Sequence, residues 1–183
     1  MSELLSLKNK HYALSGGTGT LGGSIAKYLV ENGANVLLMG RSLDKLQAKQ
    51  KELNAFSENS AFIFKVDVLN EEALHQLKNT IEKEFECLDG LVNLAGGNLP
   101  GATLTPNQTI HDIPLDDTRE VVDINLFGTV LPSIVLSKLM VKQGHGSIIN
   151  ISSMASKQSI SRVLGYSMAK AGIDIFTKWM AQE

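Results

Sequence analysis

Short, nearly continuous apolar runs separated by amphipathic stretches recur along this chain. Tyr12-Ala13-Leu14, Asn35-Val36-Leu37-Leu38-Met39, Ala61-Phe62-Ile63-Phe64-Lys65-Val66, Leu91-Val92-Asn93-Leu94 and Ser147-Ile148-Ile149-Asn150-Ile151 have the length and composition of strands buried on both faces. Between the first two, Leu21, Ile25, Leu29 and Val30 repeat at helical spacing and stop at Asn32-Gly33, a C-terminal helix signal. The spacing predicts further helices over Ser42 to Leu53 and Asn70 to Phe85, with Ser42 and Asn70 as N-caps. A longer helix is predicted from Leu115 toward Gln143, with Gly128 and Pro132 as kink points. A last helix is predicted from Tyr166 to Glu183, with no cap and no strand after it. Alternating strands and helices joined by right-handed crossovers specify an α/β, doubly wound parallel sheet flanked by helices on both faces.

Composition narrows the class of protein without choosing a function. The 183 residues suit one domain, and the 43% hydrophobic and 20% charged shares are those of an ordinary globular protein. A formal net charge of -2 gives no reason to expect nucleic acid or an anionic membrane as a partner. Cys87 is the single cysteine, so no internal disulfide forms, which suits a reducing compartment. Residues 1–10 lack the apolar core of a secretory signal, and no run approaches about 20 uninterrupted apolar residues. A cytoplasmic protein is the expectation. His11, His75, His111 and His145 are scattered, with no ligand pair at metal spacing, so no metal is expected. Glu71-Glu72 and Asp116-Asp117 fit helix N-termini better than a catalytic dyad. No G-x-S-x-G elbow surrounds Ser15 or Ser152, which disfavours a hydrolase.

Two segments carry candidate chemistry. Ser15-Gly16-Gly17-Thr18-Gly19-Thr20-Leu21-Gly22 follows the first strand and opens the first helix. Glycines there permit positive φ and close backbone approach, and a helix N-terminus offers free N–H groups to phosphate, so the turn suits a dinucleotide pyrophosphate. Gly17, Gly19 and Gly22 satisfy one glycine fingerprint, while Gly16, Gly19 and Gly22 satisfy another. After the second strand comes Gly40-Arg41-Ser42, with no acid before Asp44. An Arg at that point accommodates a ribose 2′-phosphate, which favours NADP(H) over NAD(H). Stacking of Arg41 on adenine, or exposure to solvent, remains open.

The second segment centres on Tyr166 and Lys170, which share a helix face at i and i+4, with Ser153 thirteen residues upstream of the tyrosine. A nearby ammonium favours phenolate, so the pair suits proton transfer to a ketone or from an alcohol. Ser153 is placed to hold the substrate oxygen against the phenol.

These residues resemble the short-chain dehydrogenase/reductase family, and the resemblance runs from Lys8 to Glu183. Asp67-Val68 is similar to the family's adenine-contacting acid. Asn93-Leu94-Ala95-Gly96 resembles its N-N-A-G beside the cofactor. Asn125, in Val122-Asp123-Ile124-Asn125, falls where the family's catalytic Asn holds a water in the proton relay. With Ile149-Asn150-Ile151-Ser152-Ser153 and Tyr166-Ser167-Met168-Ala169-Lys170 it completes a tetrad of Asn125, Ser153, Tyr166 and Lys170. The resemblance implies a Rossmann-type fold, a nicotinamide cofactor, and a second role for Lys170 on the nicotinamide ribose. Ser15, Thr20 and Leu94 depart from the shorter members' usual pattern, and the glycine spacing suits the longer, epimerase-type members equally well. A complete fold of this type has about six strands, against five here. The expectation is a single dinucleotide-binding domain, 1–183, truncated before its C-terminal strands.

Gly96-Gly97-Asn98-Leu99-Pro100-Gly101-Ala102-Thr103 and Ser161-Arg162-Val163-Leu164-Gly165-Tyr166 look closest to the family's D-mannonate oxidoreductase (fructuronate reductase) branch. Arg162 and Asn98 are then candidates to bind a sugar acid alongside Ser153 and Tyr166, with Arg162 clamping a carboxylate. An Arg162 that faces solvent on a loop is the alternative. Ile173, Ile175, Phe176, Trp179 and Met180 spread too widely for one helix stripe, and family members use this helix as a subunit interface, so a homodimer or homotetramer is expected. Two further functions stay open on the same fold, an NAD(P)-binding sensor or scaffold and a sugar epimerase with tightly bound NAD.

Overall fold

The computed structural model describes residues 6–158 and 160–183. Five parallel strands form one sheet in the order β3-β2-β1-β4-β5, namely β1 (His11–Ser15), β2 (Asn35–Gly40), β3 (Ala61–Lys65), β4 (Gly90–Asn93) and β5 (Ser147–Asn150). The chain winds outward from β1 to β3, then returns to place β4 on the other side of β1. A crevice therefore opens between the carboxyl ends of β1 and β4, where strand order reverses and open α/β sheets bind ligands. All five apolar runs expected as strands are strands, displaced at their ends by no more than a residue or so.

Among the described residues six α-helices cover the sheet: α1 (Thr20–Glu31), α2 (Leu43–Asn54), α3 (Glu71–Glu84), α4 (Leu115–Val122), α5 (Gly128–Gln143) and α6 (Leu164–Met180). Neighbouring residues on a strand face opposite layers, and the core divides accordingly. Ala13, Leu37, Met39 and Leu91 pack with Leu74 and Ile81 of α3 and Leu136 of α5. Leu14, Val36, Leu38 and Val92 pack with Ala26 and Val30 of α1 and Leu46 and Leu53 of α2. Each fully buried leucine contributes about 1.5–3 kcal/mol, which is why the strands show little polar alternation. Ser42 and Asn70 cap α2 and α3 by accepting from the N–H groups of Lys45 and Ala73.

The long helix differs from expectation in one respect. Neither Gly128 nor Pro132 is its principal irregularity; a π-helical turn over Asp123–Phe127 separates α4 from α5. Its cause is the buried Asn125 side chain, described below. Together Leu115–Gln143 makes 29 residues of continuous helix, long and apolar enough to cross a membrane, but half of its most apolar window is buried within the fold, as in a core helix. The last helix begins two residues before Tyr166 and ends at Met180, with Ala181 as its C-cap.

Candidate active site

The residues with candidate chemistry gather at the carboxyl edge of the sheet. β1 delivers the glycine turn, β2 delivers Arg41, β3 leads to Asp67 and Val68, β4 leads to Ala95 and Gly96, and β5 leads to Ser153.

The glycine turn is shaped by close backbone approach. Gly16 lies at φ 70°, where a Cβ would sit 2.8 Å from the carbonyl carbon of Leu94. Gly22, in the first turn of α1, packs so tightly that a Cβ would lie 2.9 Å from Gly17 Cα and nearer still to the Gly16 oxygen. The Gly19 N–H donates to the Gly16 oxygen at 3.1 Å, closing the turn. Gly19 is the N-cap of α1 and supplies no side-chain cap, so the first-turn N–H groups point outward unclaimed by a side chain. Thr18, Gly19, Thr20 and Leu21 lie at the surface of this cradle, while Gly17 and Gly22 are buried under it. Ser15 acts differently. Its side chain is fully buried, and its Oγ accepts from the N–H groups of Leu94 and Ala95, both at 3.1 Å. It ties the glycine turn to the end of β4.

Next to the cradle lies a cleft of about 400 Å³. Gly16, Thr18, Arg41, Asp67, Val68 and Ala95 line it, together with Lys45, a cation from α2 that the sequence pattern did not single out. Arg41 is exposed at its rim. Asp67 Oδ1 accepts from the Leu69 N–H at 3.0 Å, which fixes its carboxylate at the wall. The positive-φ glycine, the uncapped helix N-terminus and the adjoining cleft fit the pyrophosphate and adenosine of a dinucleotide.

Asn93 and Asn125 brace this region from within. Asn93 is buried at the end of β4 and donates to Asn150 Oδ1 at 2.8 Å and Ser133 Oγ at 2.9 Å, joining β4 to β5 and α5. Asn125 is fully buried. Its amide donates to the carbonyls of Val121 at 2.8 Å and Gly97 at 2.7 Å, and its oxygen accepts from the Gly97 N–H at 3.0 Å. These bonds hold the loop after β4, where Gly96 (φ 145°) and Gly97 (φ 150°) adopt conformations that favour glycine. Within this π turn both side-chain donors and the amide oxygen of Asn125 are engaged, and its backbone carbonyl accepts from Thr129 Oγ1 at 3.0 Å. Such turns recur at functional sites.

Lys170 is 6% exposed on α6, and its ammonium donates to the Ile151 carbonyl at 2.8 Å. Burial pushes its pKa down from the usual lysine range. Its Nζ lies 5.6 Å from the Tyr166 ring centroid, so the i, i+4 spacing brings phenol and ammonium to one place. Ser153 N-caps a short 3₁₀ turn, Met154–Ser156, with its Oγ accepting from the Ala155 N–H at 3.1 Å. That turn is clasped to α6 in two ways. Ser152 Oγ donates to the Lys170 carbonyl at 3.2 Å, and Lys157 pairs with Asp174 at 2.7 Å. The hydrogen bond from the Lys157 ammonium holds the Asp174 carboxyl far below the usual carboxylate range.

The two proposed substrate residues lie on exposed loops, Asn98 in the lining of the cleft beside the glycine cradle and Arg162 two residues before α6. Arg162 is exposed and at φ 72°, an uncommon conformation for a non-glycine residue, and its carbonyl accepts from the Leu104 N–H at 3.1 Å. Asn98 donates to Thr103 Oγ1 and to the Leu99 carbonyl.

A parallel sheet with a switch point at β1/β4, a glycine cradle there and a tyrosine–lysine pair on α6 define a dinucleotide-binding α/β protein. The chain belongs to the short-chain dehydrogenase family, whose model matches residues 10–183. Its relatives include an uncharacterized oxidoreductase of Haemophilus influenzae, 35% identical over 96% of this chain and 65% of the relative. The uncharacterized oxidoreductase UxuB of Bacillus subtilis is 34% identical over 96% of this chain and 66% of its own length. Among solved structures, a Haemophilus influenzae protein provisionally named a D-mannonate oxidoreductase, with bound NAD, superposes with a TM-score of 0.87 at 35% identity, covering 96% of this chain and 66% of that one. NAD⁺-bound xylitol dehydrogenase superposes with a TM-score of 0.89 at 26% identity, covering 96% of this chain and 65% of that one. The chain thus spans about two thirds of the length of these relatives.

Proposed function

We propose that this chain carries the cofactor-binding and proton-transfer machinery of an NAD(P)-dependent oxidoreductase acting on the carbonyl or secondary alcohol of a small polar substrate. The observation that carries the reading is Tyr166 and the buried Lys170 one helical turn apart, at the same sheet edge as the glycine cradle. Bound there, a nicotinamide would supply or accept the hydride. The protein's own residues do the rest. The first-turn N–H groups of α1 hold the pyrophosphate, and Asp67, Val68 and Ala95 form the wall for adenosine. Ser153 orients the substrate oxygen, and the Tyr166 hydroxyl gives that oxygen a proton or removes one. Lys170 favours the phenolate by its charge, and Asn125 holds the loop after β4 in place.

Arg41 and Lys45 at the cleft, with no acid at the end of β2, favour NADP(H) over NAD(H). Solved relatives include one with bound NAD and one with NADP. A sugar acid is the proposed substrate class, with Arg162 and Asn98 binding its carboxylate and hydroxyls; the relative provisionally named a D-mannonate oxidoreductase supports it. Exposed Ile134 and Val141 on α5, with Ile175 and Trp179 on α6, support a homo-oligomer. The unpaired Cys87 suits the cytoplasm.

The test is a turnover screen of the complete gene product against uronates, aldonates and simple ketones with NADH and NADPH. Consumption of reduced cofactor with keto-acid sugars is expected, with NADPH preferred. Arg162→Ala should raise KM for the acidic substrate roughly tenfold or more while sparing a neutral ketone. Equal effects on both would exclude the carboxylate role, and no consumption with any carbonyl would exclude the oxidoreductase reading.

A further inference from the structure

A second cluster of chemistry-bearing side chains lies at the amino-terminal edge of the sheet, the end opposite the cofactor cradle. His11 opens β1, and Cys87 and Asp89 precede β4. Parallel pairing sets these segments side by side: the Asp89 N–H donates to the His11 carbonyl at 2.9 Å, and the His11 N–H donates to Asp89 Oδ2 at 2.8 Å. Three metal-competent atoms converge there. His11 Nδ1 lies 3.5 Å from Cys87 Sγ, which lies 3.8 Å from Asp89 Oδ2, and the ligand atoms of all three fall within 4.8 Å of one another. Tetrahedral zinc, with bonds of ~2.0 Å to nitrogen or oxygen and ~2.3 Å to sulfur, spaces its ligand atoms roughly 3.3–3.8 Å apart. The cluster is already close to that spacing.

Two neighbours complete the arrangement. The loop before β5 is hydrogen-bonded to the same edge, with the Ser147 N–H donating to the Asp89 carbonyl at 3.0 Å, and it carries His145. His145 Nε2 lies 3.7 Å from Asp89 Oδ1, outside the three-residue cluster but on an exposed loop side chain that can turn in as a fourth donor. The Asn35 Nδ2 lies 3.3 Å from His11 Nε2. A half-turn of that amide would bring its oxygen to the ring to accept from Nε2–H, leaving the Nδ1 lone pair to face Cys87, the kind of outer partner that orients a ligating histidine. The edge of the Phe85 ring packs on the imidazole, with centroids 5.4 Å apart. Asp89 Oδ2 accepts both from the His11 N–H and from the Cys87 thiol, so a metal bound here would take the place of the thiol proton between sulfur and carboxylate.

We propose that His11, Cys87, Asp89 and His145 form a divalent transition-metal site of the zinc type, fastening the amino ends of β1, β4 and β5. Two imidazoles, a thiolate and a carboxylate suit a borderline-soft tetrahedral ion. On binding, the Cys87 sulfur exchanges its proton for the metal and the proton passes to solvent, with no change of oxidation state.

Chelator-stripped protein titrated with Co(II) tests this. One equivalent should give the intense visible bands of tetrahedral cobalt and a thiolate charge-transfer band, and Zn(II) should displace it. Cys87→Ser should abolish the charge-transfer band, His11→Gln should abolish tight binding, and His145→Ala should weaken it roughly tenfold or more. All three variants should bind NADPH as the parent does, which also shows that they fold. An octahedral spectrum, substoichiometric uptake, or a charge-transfer band that survives Cys87→Ser each overturns the proposal.

Discussion

Replacing Gly22 with alanine gives a measurable test of how the glycine cradle is built. The new Cβ would meet backbone, lying 2.9 Å from both the Gly16 carbonyl carbon and Gly17 Cα and closer to the Gly16 oxygen. Overpacking of this kind costs about 1–3 kcal/mol, and backbone partners place it near the upper end. Alanine in place of helical glycine returns about 0.5–1 kcal/mol, so the net loss is about 2 kcal/mol. For a chain of this size that lowers Tm by roughly 4–8 °C. Gly23→Ala is the control one residue away. Its Cβ would meet Lys49 Nζ at 3.0 Å and Cε at 3.3 Å, the far end of a flexible side chain that can move aside. Stability within about 1 kcal/mol of the parent is therefore expected. Thermal unfolding by circular dichroism measures both variants, and titration of NADPH fluorescence measures the cradle. Gly22→Ala should weaken cofactor binding by roughly tenfold or more, about 1.4 kcal/mol, and Gly23→Ala should leave it unchanged. If both variants behave alike in stability and in affinity, close packing of α1 on the turn is not what shapes the site.

Two other substitutions separate stability from chemistry. Lys170→Met should leave stability unchanged or raise it, because an apolar side chain of similar length replaces a buried ammonium, while turnover falls by about 10²–10⁴-fold; unfolding and steady-state assays on the same sample give both numbers. Asp174→Asn removes the carboxylate that clasps the Ser153 turn to α6. The folded Asp174 carboxyl titrates well below its unfolded value of about 3.9, so its stabilisation is complete above that pH and is lost as pH falls through the acid range. The parent should exceed the variant by about 2 kcal/mol at pH 7, with the gap beginning to narrow below about pH 4 and closing only well below pH 3; a gap that stays constant with pH would show that the carboxylate charge contributes nothing.

What the sequence reveals of this molecule follows the range of the interactions involved. The strands are legible because each is a local apolar run, and the helix starts at Ser42 and Asn70 because a cap acts within three residues. The tyrosine–lysine pair is legible because helical periodicity alone brings it together. The π turn is not, because the three hydrogen bonds of Asn125 reach Gly97 as well as Val121, and Gly97 stands 28 residues away. Ser15 sits in a ligand-binding motif, yet its hydroxyl serves Leu94 and Ala95 across the sheet, a role set by strand order. The Lys157–Asp174 clasp and the cluster of His11, Cys87 and Asp89 likewise depend on which segments pair, and residue spacing along the chain carries no trace of that.

The central claim is that the Tyr166 hydroxyl transfers the proton while a nicotinamide held over the glycine cradle exchanges the hydride. Its most direct test is Tyr166→Phe in the complete gene product, assayed by reduced-nicotinamide absorbance with the best substrate from the carbonyl screen and by cofactor titration. The account predicts kcat lower by about 10²–10⁴-fold, with cofactor Kd unchanged within about twofold. A variant that keeps turning over at the parent rate contradicts it.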